Sequence, residues 1–144
     1  MTTFVIDASV AVKWVVEEPG TRDALRLLHA RLCAPDLLIA ECANILWKKS
    51  RLGQLTCDEA VLAARLLERA DVELLPMRGL LHQATQLAIE LEHPAYDFIY
   101  LCLALSRGCV FVTADERLLR RLGQTKRPDL QAASLSLASA AALI

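Results

Sequence analysis

The feature that most constrains this fold is an unbroken apolar run near the start of the chain that ends at an acid. Phe4, Val5 and Ile6 are followed directly by Asp7. Successive side chains of a strand point to opposite faces of the sheet, so a strand that is apolar throughout is covered on both faces, as in a parallel sheet. Such sheets bind ligands at the carboxyl ends of their strands. Asp7 is therefore the first candidate site residue.

The same pattern returns late in the chain. A second apolar run, Val110-Phe111-Val112-Thr113, leads into an acid at Asp115. Thr113 and Glu116 have the spacing of a capping box, which predicts a helix over 117–122 with the acid in its first turn. Because the carboxyl ends of parallel strands meet at one edge of a sheet, this acid and the one after the first strand can converge.

Strand-like runs alternate with helical patterns along the chain. The other predicted strands cover 33–34, 72–76 and 133–137, and the other predicted helices cover 10–16, 21–32, 37–49, 56–70, 79–91, 95–107 and 138–143. This alternation predicts an α/β fold, a three-layer sandwich with a mostly parallel central sheet flanked by helices. A length of 144 residues, 55% of them hydrophobic, fits one domain over residues 1–144.

Two further acids stand on predicted helices that are mostly apolar. Glu41 interrupts the helix over 37–49, and Asp97 lies in the first turn of the helix over 95–107, which is apolar around nearly its whole circumference. Each acid also has a structural explanation of its own. Glu41 can lie at the edge of the buried stripe of its helix, and Asp97 can interact favourably with the dipole of its helix. Asp7 and Ser9 can cap the helix that follows the first strand. Because unpaired acids are costly among apolar residues, one shared site explains all four more simply.

Four clustered carboxylates require a cation. Asp7, Glu41, Asp97 and Asp115 would repel one another unless a proton or metal ion lay between them, and hard oxygen ligands suit Mg²⁺ or Mn²⁺. Such an ion activates water and stabilises charge on a phosphoryl oxygen, which favours phosphodiester hydrolysis. Competing schemes lack their motifs, since the chain has no G-x-S-x-G elbow, no P-loop and no G-x-G-x-x-G array.

The remaining reactive residues indicate no second site. The five cysteines have no C-x-x-C spacing and are predicted to be mostly buried free thiols: Cys33, Cys42, Cys57, Cys102 and Cys109. This usage suits a reducing cytoplasm and implies neither a zinc framework nor disulfides. No apolar run approaches the ~18 residues of a membrane span. His82 and His93 lack a metal-spaced partner, so we predict structural or surface roles for both.

Four segments, in this order, carry a resemblance to a known family. They are 5–14 (VIDASVAVKW), 35–44 (PDLLIAECAN), 96–101 (YDFIYL) and 112–118 (VTADERL). Together they resemble the PIN-domain ribonucleases, most closely the VapC-type toxins of bacterial and archaeal toxin–antitoxin pairs. The resemblance spans roughly residues 4–122.

The resemblance implies a complete acidic quartet for metal binding, formed by Asp7, Glu41, Asp97 and Asp115. It places polar residues around the quartet: Ser9, Asn44 and Thr113. It also implies a parallel sheet flanked by helices, RNA cleavage by metal-activated water, homodimers, and a small antitoxin protein that blocks the site.

Because the net charge is only −1, any binding of RNA must depend on local clusters of basic residues. Two basic clusters are candidates for phosphate contacts: Lys48, Lys49 and Arg51, and Arg117, Arg120 and Arg121. Their alternative is a solvated helix face. Trp14 and Trp47 are candidates for an apolar surface used in self-association or antitoxin binding, or for the core.

Two other functions compete with the ribonuclease interpretation. A phospho-accepting receiver domain also gathers aspartates at the strand ends of a parallel sheet, but it needs a lysine after a late strand, where this chain has Asp115. A PIN-like protein that binds RNA or a partner without cutting is the second. The presence of all four acids argues against it.

Overall fold

A five-stranded sheet forms the centre of the computed structural model, which describes all 144 residues. Every strand pair is parallel, and the strand order is β3-β2-β1-β4-β5. The strands are β1 (Thr3–Ile6), β2 (Arg31–Pro35), β3 (Glu73–Leu75), β4 (Val110–Thr113) and β5 (Ser134–Ser136). The predicted α/β fold with a parallel sheet is confirmed.

Nine α-helices connect and flank the strands. They are α1 (Ala8–Ala11), α2 (Thr21–Leu27), α3 (Leu37–Arg51), α4 (Cys57–Leu67), α5 (Leu81–Leu91), α6 (Tyr96–Arg107), α7 (Glu116–Gly123), α8 (Pro128–Ala132) and α9 (Leu137–Ala141). Short 3₁₀ helices cover Val12–Trp14 and Arg78–Leu80. None of these helices has the length and apolar character needed to cross a bilayer.

The central strand is covered on both faces, as its sequence predicts. Phe4, Val5 and Ile6 are at most 1% exposed, and adjacent side chains of a strand point to opposite faces. Helix α6 packs across β1, β2 and β4, while α3 contacts β2 and α9 contacts β4. The core therefore lies on either side of β1, with the polar strand ends at one edge.

Helix α6 has more buried residues than any other helix, and it ends at a glycine. Six of its twelve residues are buried, and its C-cap is Gly108 at φ 65°. This left-handed conformation carries almost no steric cost for glycine, so the chain turns there into β4. Both the burial of this helix and its termination at Gly108 are confirmed.

The helix predicted over 21–32 is too long. Helix α2 ends at Leu27, and the chain returns to the sheet because Arg31 and Leu32 pair with Thr3 and Phe4 of β1. The leucines of this segment keep their helical spacing into residues that form β2. Pairing of those residues with β1, not the spacing, determines where the helix ends.

Helix α2 begins at Thr21, as predicted, although Thr21 is not its N-cap, and two smaller features differ from expectation. Gly20, at φ 92°, occupies the N-cap, whereas the Thr21 hydroxyl lies inside the helix and donates to the Val16 carbonyl. Helix α8 was not expected from the sequence. Cys57 is exposed, although all five cysteines are free thiols.

Candidate active site

Asp7 lies at the carboxyl end of the central strand and is the N-cap of α1. Its Oδ1 accepts hydrogen bonds from the Ser9 hydroxyl at 2.5 Å and the Val10 N–H at 3.3 Å. Its Oδ2 accepts one from the Thr113 hydroxyl at 2.5 Å. With only 6% of Asp7 exposed, both carboxylate oxygens are held by neutral donors inside the protein.

The charge of this buried carboxyl is not neutralised by any basic residue. Burial raises the pKa of Asp7 to about 7 although the hydrogen bonds from Ser9 and Thr113 act in the opposite direction. The negative charge of Asp97 raises this pKa further. Such an effect requires proximity, so Asp97 of α6 lies close enough to Asp7 for their charges to interact.

Thr113 meets Asp7 because of the strand register. Ile6 pairs with Val112, so the next residues on the two strands lie side by side. The fully buried Thr113 donates to Asp7 and accepts the N–H of Asp115 at 3.1 Å. The Ser9 hydroxyl in turn accepts the Ala114 N–H at 2.9 Å. Polar contacts thus tie the ends of β1 and β4 together.

Glu41 reaches the same region from α3 and is half-buried. Its Oε1 accepts a hydrogen bond from the Tyr100 hydroxyl of α6 at 2.5 Å. Burial raises the pKa of the Glu41 carboxyl, the Tyr100 hydrogen bond opposes that shift, and the charge of Asp97 adds to it. The charge of Asp97 therefore raises the pKa of both Asp7 and Glu41.

Asp97 has a partner that was not predicted. Its Oδ2 lies 2.7 Å from Nε2 of His93, whose ring also packs edge-on against Phe98 with 5.4 Å between ring centroids. The expectation of a merely structural or surface histidine missed this contact. His93 lies before α6, which begins at Tyr96, so the helical spacing rule for residues four apart does not apply and the contact depends on the path of the chain at Pro94.

Asp115 occupies a different position from the one predicted. It is itself the N-cap of α7, and its Oδ1 accepts the N–H groups of Arg117 and Leu118 at 3.0 and 3.1 Å. The predicted capping box of Thr113 and Glu116 is wrong. The Thr113 hydroxyl is used by Asp7, and the helix starts two residues later than that box requires.

The four predicted acids thus lie at one end of the sheet, but each carboxylate is turned toward a donor of the protein. With the side chains in these orientations, no three His, Cys, Asp or Glu residues are placed to hold one metal ion. The hydrogen bonds from Tyr100 and His93, and the capping of α7, account for these orientations. The metal-binding quartet stays a prediction.

The chemistry of this donor set nevertheless fits a divalent cation. The candidate ligands are carboxylate oxygens, and none of these acids forms a salt bridge with lysine or arginine. Asp7 is buried, its pKa is raised to about 7, and no basic residue pairs with it. Its ionised form therefore lacks a compensating positive charge. A hard cation such as Mg²⁺ or Mn²⁺ would supply that charge.

The remaining predicted residues lie around this edge to different degrees. Asn44 is exposed on α3, one turn after Glu41. Three of the six basic candidates have partners within the chain: Lys49 binds Glu18 at 2.7 Å, Arg51 lies over the Trp47 ring, and Arg121 donates to the Leu91 carbonyl. Lys48, Arg117 and Arg120 are exposed.

Comparison with known proteins connects this arrangement to one family. The PIN domain family model matches residues 4–124. The chain is 30% identical over 124 residues to VapC ribonuclease Mb0985 of Mycobacterium bovis, a match that covers 86% of this chain and 94% of that protein. It has the same identity and coverage with Ribonuclease VapC9 of Mycobacterium tuberculosis.

Solved structures show the same fold. The crystal structure of PAE2754 from Pyrobaculum aerophilum has a TM-score of 0.73 and 24% identity, covering 99% of this chain and 94% of the other. Mycobacterium tuberculosis VapC20, described as a sarcin–ricin loop cleaving toxin, has a TM-score of 0.59 and 16% identity, covering 76% and 86%. At these identities the likeness concerns the fold.

Proposed function

Because this chain belongs to the PIN domain family, we propose that it is a ribonuclease that acts as the toxin of a type II toxin–antitoxin system. Its relatives named VapC ribonucleases match over nearly their whole length. The observation that carries the proposal is Asp7, a buried carboxylate at the carboxyl edge of a parallel sheet that has no basic partner and whose pKa is raised by burial and by the charge of Asp97. This edge is where such sheets bind substrates.

We assign Mg²⁺ or Mn²⁺ to this edge, held by Asp7, Glu41, Asp97 and Asp115. The ion would supply Lewis-acid activation of water and stabilisation of negative charge on the phosphodiester. Support comes from the oxygen-only donor set and from the raised pKa values of Asp7 and Glu41, both of which a bound cation would lower.

Other side chains prepare the acids for that task. Ser9 and Thr113 each donate to one oxygen of Asp7 and fix the plane of its carboxylate. The core around β1 excludes water from the inner side of Asp7, so its charge acts in a medium of low polarity. Asn44 is placed one turn from Glu41, where it can contact a substrate that approaches from solvent.

We assign the RNA phosphates to the exposed cations next to this edge. Arg117 lies in the first turn of α7, two residues after the Asp115 cap, and Arg120 follows one turn later. Lys48 is exposed on α3 beyond Asn44. Lys49, Arg51 and Arg121 contribute less, because each already has a partner in the chain.

The partners follow from the same relatives. A small antitoxin protein would block the site, and a homodimer is our expectation for the free toxin. Apolar side chains for such contacts are exposed on the helices, among them Trp47, Leu81 and Ile89. An RNA substrate places the activity in the cytoplasm.

The test combines cleavage with binding. We expect the purified protein to cut single-stranded RNA with Mg²⁺ or Mn²⁺, to lose activity in EDTA, and to gain about 2.7 kcal/mol of unfolding free energy when the ion is at a hundred times its Kd. Asp97→Asn keeps the side-chain size and should abolish cleavage while the variant stays folded. Cleavage that survives both EDTA and Asp97→Asn, in enzyme cleared of contaminating ribonuclease, would refute the metal site.

A further inference from the structure

We propose that Tyr100 is a positioning residue that holds the Glu41 carboxylate in place for metal binding and RNA cleavage. This inference rests on the function proposed above for the same site. Tyr100 lies one turn after Asp97 on α6, so the two side chains share one face of that helix. Helix α6 thereby carries one acid of the site, Asp97, and through Tyr100 positions a second acid, Glu41 of α3.

The ring of Tyr100 has no freedom to move. The residue is fully buried, and its ring stacks on Phe111 of β4 with 5.8 Å between centroids and 16° between planes. Side chains in a close-packed core stay in one rotamer. The position of the hydroxyl oxygen is therefore set by the sheet, not by the site itself.

Glu41, in contrast, is flexible without this contact. It is half-buried, and three side-chain torsions separate its carboxylate from the backbone of α3. The Tyr100 hydroxyl donates to Oε1 at 2.5 Å. A tyrosine hydroxyl is protonated at neutral pH and a carboxylate oxygen can only accept, so Tyr100 is the donor of this hydrogen bond. One oxygen of Glu41 is thus fixed, which leaves Oε2 for a ligand.

A purely structural explanation makes a different claim. In that view the buried hydroxyl of Tyr100 only needs an acceptor, and Glu41 serves as one. Loss of the hydroxyl would then change the free energy of unfolding but not the affinity for a metal ion. The two roles are separated by measuring metal affinity without substrate.

The experiment compares the same substitution at the two tyrosines of the chain. Tyr100→Phe removes only the hydroxyl, and Tyr96→Phe does the same at a largely exposed position on the same helix. In calorimetric titration with Mn²⁺ and no RNA, Tyr100→Phe should weaken the Kd by about 10- to 100-fold, the range for residues that orient a metal ligand. Tyr96→Phe should bind as the wild type does. Equal Kd values for both variants and the wild type would overturn the inference.

A double-mutant cycle shows whether Tyr100 acts through Glu41. In a Glu41→Gln background, where the acid has already been lost, Tyr100→Phe should change the Mn²⁺ Kd by less than about threefold, because coupled residues are not additive. The same 10- to 100-fold loss in both backgrounds would show that Tyr100 acts by another route. Wild-type protein that binds no divalent ion would refute the proposed function itself, a result separate from failure of this inference.

A spectroscopic measurement keeps the test valid if Tyr100→Phe does not fold. In the Tyr96→Phe protein, 3-fluorotyrosine incorporation labels only Tyr100, because the chain has two tyrosines. Titration with diamagnetic Mg²⁺ should shift the ¹⁹F resonance, and Glu41→Gln should remove that shift. A resonance that saturating Mg²⁺ leaves unmoved would contradict the inference.

Discussion

The ends of β1 and β4 carry similar sequence patterns but use their acids differently. Asp7 and Asp115 both follow a parallel strand, and both are helix N-caps. Asp7 is 6% exposed and its pKa is raised to about 7, mainly by burial. Asp115 is only partly buried, and its Oδ1 is occupied by two backbone N–H groups of its own helix. The difference comes from the register, because Thr113, not Asp115, lies beside Asp7.

This difference shows how a functional acid is recognised. A helix cap needs one oxygen and works well when partly exposed to water, so capping explains the contacts of Asp115 completely. Burial of a carboxylate costs free energy that capping does not require. Capping of α1 alone therefore does not explain the burial of Asp7, whereas the divalent cation proposed above would explain it.

The largest effect should come from Asp7→Asn. Asparagine caps a helix about as well as aspartate, so α1 should form, but the charge that would hold the metal ion is lost. RNA cleavage should fall by at least about a thousandfold, equivalent to roughly 4 kcal/mol of transition-state stabilisation. Single-turnover cleavage of labelled RNA measures this. Asp58→Asn, an exposed acid in the first turn of α4, is the matched control and should retain full activity.

The second prediction concerns pH in the presence of EDTA. The pKa of Asp7 is 3.8 when unfolded and about 7 when folded, so the unfolded state releases its proton first as pH rises. The contribution of Asp7 to stability should fall by about 1.4 kcal/mol per pH unit between pH 4 and 7 and then level off. Urea unfolding of the wild type and Asp7→Asn should therefore diverge by roughly 4 kcal/mol across that range, with the variant more stable at neutral pH.

Asp115→Asn is the control for that pH series. Its carboxylate is only partly buried, and its urea unfolding is measured over the same pH range as that of Asp7→Asn and the wild type. If the unfolding free energies of Asp7→Asn and the wild type change in parallel from pH 4 to 8, ionisation of the buried Asp7 costs no free energy. The proposed difference between Asp7 and Asp115 would then be contradicted.

The smallest effect separates capping from catalysis at Asp115. Asp115→Ala removes the cap of α7 and should cost about 1 kcal/mol of unfolding free energy, whereas Asp115→Asn should cost a few tenths at most. Both variants should nevertheless lose RNA cleavage if Asp115 is part of the metal site. Full activity in Asp115→Asn would restrict Asp115 to a cap and would make the two strand ends differ in function as well as in burial.

The parts of the fold that follow local rules were predictable from the sequence. The apolar runs of β1 and β4, and the glycine after α6, determine those elements through burial and backbone freedom. The helix predicted over 56–70 also forms, as α4, and a capping box of Thr56 and Glu59 fixes its start. The end of α2 was wrong because leucines there satisfy a helical period, and only pairing with β1 shows that Leu32 belongs to a strand.

The candidate site was likewise predictable only in part. The four acids were found by their positions after strands and on apolar helices, yet the orientation of each carboxylate was not predictable. Tyr100 and Glu41 are 59 residues apart, so their hydrogen bond depends on how α3 and α6 are placed by the sheet. The cap at Asp115 was missed because Thr113 is taken by Asp7, a contact across 106 residues.

That contact between β1 and β4 also has a consequence for synthesis of the protein. Asp7 precedes β4 in the chain and leaves the ribosome before it. Because parallel strands cannot pair as a hairpin, β1 has to wait for β4, and until then Asp7 remains an ordinary solvated acid. Docking of β4 then buries the carboxylate and raises the pKa of Asp7 from 3.8 to about 7, so at neutral pH and without a cation this group takes up a fraction of a proton. Completion of the site is thus a late, proton-coupled folding event, and a nascent chain that stops before Thr113 carries three of the acids without the site they form.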